Sequence, residues 1–264
     1  MPSVFWVASY PRSGNTWLRF LLTNLLQGPV THSDQVARFV QDIHIHDKVL
    51  FTGSEAKLLK THWMYHAAFP FAEFARGAVY LVRHPADVLE SALNYSFLQG
   101  RRYDPDMATN EREALARAWV KDYIDRGGRK IWIDGHAGTW AQNVESWTGG
   151  NLPFSCLTIR YEDLRVAPIK NLELICSQLG IDKPAEDLSR AVYNARIETM
   201  AALEEAEIAS DRPGFFNNDA LKGKQLGFRQ IRSDVANRVC ITPDERARIV
   251  AQNSALCLRF GYIV

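Results

Sequence analysis

One nonapeptide, Ser9-Tyr-Pro-Arg-Ser-Gly-Asn-Thr-Trp17, constrains the fold of this chain most, because of what stands on either side of it. Before it, Ser3-Val-Phe-Trp-Val-Ala-Ser9 is short, β-branched and aromatic, the pattern of a buried strand. After it, Thr16 to Leu26 carries apolar residues at 18, 21, 22, 25 and 26, which fall on one face of a helix. The turn between them holds Gly14, the hydroxyls of Ser13 and Thr16, and the cation Arg12. A helix start with free N–H groups, hydroxyls and a cation is a cradle for an anion, and phosphate is the anion it suits. The string is not a Walker loop: G-x-x-x-x-G-K-[ST] occurs nowhere in the chain, and the cation here precedes the glycine. Tyr-Pro and Ser-Gly alone would also mark an ordinary strand-to-helix turn.

Strand-like and helix-like segments alternate along the rest of the chain, which predicts a mostly parallel sheet flanked by helices. Further strands are expected at 56–60, 78–82 and 154–159. Helices are expected at about 85–97, 111–126, 137–147, 168–179, 185–195 and 243–259. With 264 residues, 47% apolar content and no linker-like stretch, one domain over 1–264 is expected. Right-handed crossovers would place a ligand at the carboxyl ends of the strands. The net charge of +1 gives no general attraction for nucleic acid or an anionic membrane, so an anion site must be local. No run of 18 apolar residues is present, and a strand beginning at residue 3 leaves no room for a signal peptide. The four cysteines are scattered, without C-x-x-C, and suit a reducing compartment better than a disulfide framework or a zinc site. A cytoplasmic protein is the expectation.

Three further segments carry chemistry. Lys60-Thr61-His62 ends a predicted strand, and alternation puts Lys60 and His62 on one side. Imidazole titrates near neutrality and can take a proton from a hydroxyl, although a strand-end histidine can also serve only in local bonding. Tyr80-Leu-Val-Arg-His-Pro-Ala-Asp-Val-Leu-Glu-Ser91 runs a strand into Arg83, and Pro85 then opens a helix carrying Ser91 about two turns on. Arginine can grip a phosphate with two prongs and serine can donate one bond to it. Ile159-Arg-Tyr-Glu-Asp-Leu164 ends another strand at Tyr161. His44-Ile-His46-Asp47 lacks a second ligand cluster and reads as a polar surface stretch rather than a metal site.

In this order the four segments resemble the PAPS-dependent sulfotransferases of the soluble, small-molecule type, where PAPS is 3′-phosphoadenosine 5′-phosphosulfate. The resemblance covers residues 3 to about 180 and fades beyond. It implies a P-loop-like turn in which Ser13, Gly14, Asn15 and Thr16 hold the 5′-phosphate. It implies that Trp17 stacks on adenine with Tyr161 nearby, although both could be plain core residues. It further implies that Arg83 and Ser91 hold the 3′-phosphate and that His62 is the general base. Arg12 stands where the family usually has lysine, and Arg12 and Lys60 would stabilise charge on the departing nucleotide, PAP, without a metal. The family's Arg-Lys-Gly and Gly-Asp-Trp strings are absent. Arg229 or Arg232 could replace them at the 3′-phosphate, or belong to a solvated basic loop. The expected acceptor is a hydroxyl of a small, partly apolar molecule, as in secondary metabolism. Trp63 to Phe71 would wall its pocket or pack in the core, and loops near 99–110 and 211–234 would close over it. The competing readings are a P-loop-type nucleotide or small-molecule kinase, needing Mg²⁺ and a Walker lysine, and a non-catalytic nucleotide-binding protein, which would not need Lys60 and His62.

Overall fold

The computed structural model describes residues 3–44, 56–99, 107–211, 216 and 238–262. Its centre is a sheet of five parallel strands among the described residues: β1 (Ser3–Ser9), β2 (Val40–Asp42), β3 (Ala56–Thr61), β4 (Ala75–Val82) and β5 (Ser155–Arg160), in the order β2-β3-β1-β4-β5. Both faces of this sheet are buried, and the strands show why. In β1, Val4, Trp6 and Ala8 enter one core while Val7 enters the other; in β4, Ala78, Tyr80 and Val82 oppose Val79 and Leu81. Period-two alternation thus feeds two apolar layers at once, which is what continuous apolar strands require.

Helices close both layers. They are α1 (Asn15–Gln27), α2 (Ser33–Phe39), α3 (Pro85–Gln99), α4 (Thr109–Arg126), α5 (Lys130–Trp132), α6 (Trp140–Thr148), α7 (Tyr161–Val166), α8 (Pro168–Leu179), α9 (Ala185–Asn194), α10 (Ile197–Ala209), α11 (Pro243–Gln252) and α12 (Ser254–Arg259). On one side Trp140, Val144 and Trp147 of α6 join Leu89 and Leu93 of α3. On the other, Leu18, Leu21, Leu22 and Leu25 of α1 meet Leu172 and Ile175 of α8.

The expected strands and helices are present, with three differences. The helix expected from 137 begins at Trp140, behind Thr139, whose hydroxyl accepts from the Gln142 N–H in a capping box. Ile133–Ala137 before it is a π-type turn holding His136 at φ 68°. The helix expected over 243–259 breaks at Asn253, whose side-chain amide donates to the Ile249 carbonyl at 2.7 Å. Finally α2, β2, α5, α7 and α10 have no counterpart among the expected elements. β2 has only three residues, too few for a period to show, and is held by Arg19 of α1 donating to the Val40 carbonyl at 2.7 Å.

Candidate active site

Because β1 lies between β3 and β4, the chain leaves β1 in one direction and returns on its other side. Crevices at such reversals open at the carboxyl ends of the strands. Ser9, His62, Arg83 and Tyr161 all stand there, at or just past the ends of β1, β3, β4 and β5.

The β1–α1 turn is built for an anion. Gly14 has φ 97°, a left-handed conformation natural to glycine, and a Cβ there would lie 2.4 Å from the Tyr161 ring. Arg12, at φ 68°, holds a conformation that costs a non-glycine residue on the order of 1–3 kcal/mol. No side chain caps α1, so its first-turn N–H groups stay open. Ser13 is fully buried, and its hydroxyl has no partner. Arg83 reaches across from β4 and donates to the Arg12 carbonyl at 3.0 Å, while its buried Nε has no partner either. Orphaned donors of this kind facing an open helix start fit a phosphorylated ligand. Arg12 in turn donates to Ser91 Oγ of α3 at 3.2 Å and lies 4.4 Å from the centre of the Tyr95 ring. Burial lowers its pKa to about 10, which leaves it charged at neutral pH. The Asn15 side chain turns away from this space, its amide bracing β1 through the Val7 carbonyl and Ser9 Oγ. What Asn15 leaves at the helix start is its backbone N–H.

The aromatic pair expected near adenine is adjacent. Trp17 meets Tyr161 edge-on at 6.0 Å and donates to the Ala195 carbonyl at 2.9 Å, and Arg83 stacks on the other aromatic at 4.6 Å. His84, given no role from sequence, starts α3: its Nδ1 accepts from the Ala86 N–H, and its own N–H donates to Glu162.

On the opposite flank, His62 is anchored through Nδ1, which lies 2.7 Å from the Ser9 carbonyl. A carbonyl only accepts, so Nδ1 carries the proton and Nε2 keeps its lone pair. Burial, reinforced by the Lys60 charge and opposed by Asp42, holds the His62 pKa well below 6.5. Lys60 bonds Asp42 of β2 at 2.8 Å, both side chains 8% exposed. Burial lowers the Lys60 pKa to about 8 despite Asp42, while Asp42, although burial alone would raise it, is held well below the carboxylate range by Lys60.

His44 departs from the expected surface stretch. Although exposed, its Nε2 accepts the His62 N–H at 2.8 Å, and its ring lies 5.8 Å from that of His62 at 13°. Desolvation of the ring where it turns inward onto His62 lowers its pKa to about 4, although the residue's outer side is exposed. His46 and Asp47 lie outside the described residues. The aromatic run after His62 divides: Phe69 is buried against Trp6, whereas half-buried Trp63 faces His44 at 5.1 Å and His136 at 5.4 Å. Arg229 and Arg232 lie outside the described residues, as does most of both loops expected to close the site. Asp42, His44 and Ser9 were missed in the sequence because a three-residue strand and two backbone-directed contacts leave no motif.

A family model described as sulfotransferase domain matches residues 2–217. The chain belongs to that family. Human sulfotransferase 2A1 is 23% identical over 209 residues, covering 74% of this chain and 65% of its own length. Arabidopsis thaliana cytosolic sulfotransferase 1 is 24% identical over 227 residues, covering 75% and 64%. The matched stretch thus spans a little less than two thirds of these relatives' own length. Among solved structures, mouse sulfotransferase SULT7A1 complexed with PAP superposes with a TM-score of 0.60 at 18% identity, covering 97% of this chain and 88% of its own. Retinol dehydratase complexed with retinol and PAP gives 0.61 at 14%, covering 95% and 80%. The fold expected from sequence is therefore the fold of these proteins.

Proposed function

We propose that this protein is a sulfotransferase that moves the sulfuryl group of PAPS to a hydroxyl of a small organic acceptor. The observation that carries the reading is the convergence of an uncapped helix start, two arginines and a buried orphan serine on one side with an anchored, neutral histidine on the other. The neighbours solved with PAP and the family membership support the donor.

PAPS, when bound, supplies an activated sulfuryl group. Ser13, Thr16 and the N–H groups of Gly14 and Asn15 would hold its 5′-phosphate, Arg83 and Ser91 its 3′-phosphate, and Trp17 with Tyr161 its adenine side. On the sequence resemblance alone, Arg229 or Arg232, which lie outside the described residues, would add a cation at the 3′-phosphate. His62 Nε2 takes the acceptor's proton as the new O–S bond forms and the S–O bond to the 5′-phosphate breaks, its electron pair staying on the phosphate oxygen. Arg12 and the α1 N-terminus stabilise that charge, and Lys60, set by Asp42, adds positive charge at the same strand end. These groups supply the balancing charge without a metal. A kinase reading has no Walker lysine to draw on. A cytoplasmic setting is consistent with free cysteines and with the relative named as cytosolic; among the described residues no helix is long and apolar enough to cross a membrane.

The test is transfer from PAPS to a panel of phenols and alcohols, read by mass. His62→Ala should cost about 10²–10⁴ in kcat while PAP affinity holds. A His62→Ala protein that binds PAP and turns over normally would remove the base assignment.

A further inference from the structure

Arg129 lies in the turn between α4 and α5, and nucleotide binding gives it no role. The chain is pressed against the exit of β1 at this point: a Cβ on Gly128 would sit 2.6 Å from Tyr10 Oη. The Arg129 guanidinium lies over the Trp132 ring, 5.0 Å from its centre, and Trp132 meets Tyr10 edge-on at 5.7 Å. Its charge is felt at Arg12, where it acts with that of Arg83 to disfavour a further cation. Among the described residues, none of Arg12, Arg83 and Arg129 has a carboxylate partner. Among the described residues, three guanidiniums thus act on one region without a carboxylate, and the nucleotide roles proposed above use only Arg12 and Arg83.

The third, Arg129, opens a segment that ends beside the proposed base. One segment, 129–137, starts with Arg129 beside the anion cradle and ends in the π-type turn where His136 packs on Trp63, next to the proposed base. The His136 carbonyl also accepts the Met64 N–H at 2.9 Å, tying that end of the segment to the residues after His62. A half-buried guanidinium over an aromatic ring, with the phenols of Tyr95, Tyr123 and Tyr10 around it and no carboxylate partner among the described residues, is free to meet a carboxylate with two parallel bonds.

We propose that Arg129 recognises an acidic group on the acceptor, making the acceptor class a hydroxylated aromatic carboxylic acid. The inference rests on the sulfuryl-transfer reading above. The ring would lie among Trp132, Trp63 and His136, the hydroxyl would face His62 and the carboxylate would face Arg129.

The experiment compares 4-hydroxyphenylacetate with 4-hydroxyphenylacetamide, equal in shape and differing in charge, in the wild type and in Arg129→Gln. PAP affinity is measured for both proteins. The wild type should prefer the acid, and Arg129→Gln should lower the acid-to-amide ratio of kcat/KM by about 10- to 100-fold with PAP affinity retained. Absence of acid preference in the wild type, or no turnover of the acid by a protein that binds PAP, overturns the inference. An equal loss for both acceptors together with weaker PAP binding also overturns it, since Arg129 would then serve the donor. Failure of the wild type to bind PAP would instead sink the sulfotransferase reading itself.

Discussion

The chemistry proposed for His62 comes from the atom opposite its anchor. With Nδ1 committed to the Ser9 carbonyl, only Nε2 can accept a proton, and burial keeps the ring neutral well below pH 6.5. Lys60 has the opposite sensitivity, because burial brings its pKa down to about 8 and its charge is lost above that value. For an acceptor hydroxyl that does not titrate in this range, kcat/KM should be level from about pH 6.5 to 8 and fall above about 8. Lys60→Arg, whose guanidinium stays charged, should move the alkaline limb upward. An unmoved limb would mean that the Lys60 charge is not required. The placement of His62, Lys60, Arg83 and Ser91 near this sheet edge was legible in the sequence because each stands at a fixed offset from an apolar strand. His44 and Arg129 were not, since each is defined by what it faces across the fold rather than by any neighbour in the chain.

At the scale of elements, β2 shows why a short edge strand can matter. Its three residues contribute little ladder, yet Asp42 pairs with Lys60 in register and His44 follows two residues later against His62. Removing one member of a buried pair leaves the other charge uncompensated, at a typical cost of about 3–5 kcal/mol. Asp42→Ala should therefore lose stability of that order in urea unfolding. A loss below about 1 kcal/mol would show that water already screens the pair. The long, periodic elements were readable from sequence because strands buried on both faces and helices with one apolar stripe repeat their signal. β2 was too short to repeat it. α10, with buried Glu204 and Glu207, places carboxylates where an apolar stripe was looked for: Glu207 accepts from the Ser33 N–H at 2.6 Å and from its hydroxyl at 2.5 Å. The His136 turn interrupts a helix pattern through a backbone conformation that composition does not announce.

For the whole molecule, the parallel sheet does the organising. Four strand ends bring His62, the β1–α1 turn, Arg83 and Tyr161 with its partner Trp17 to one edge, and α1 turns its uncapped start toward the same place. The first two thirds of the chain could be read because each of these ends is a local motif. The C-terminal third lacks the family's usual strings, and the basic segment in which Arg229 and Arg232 fall carries no spacing that fixes a register. The central claim is that this edge binds a 3′-phosphorylated nucleotide. Its most direct test is a thermal-shift titration with 3′-phosphoadenosine 5′-phosphate, ADP, and ADP plus Mg²⁺ in parallel. A ligand at 100 times its Kd adds about 2.7 kcal/mol to the native state. The account predicts stabilisation by the 3′-phosphorylated nucleotide and little by either ADP condition. Stabilisation by ADP with Mg²⁺ and not by the 3′-phosphorylated nucleotide would contradict it and favour a kinase.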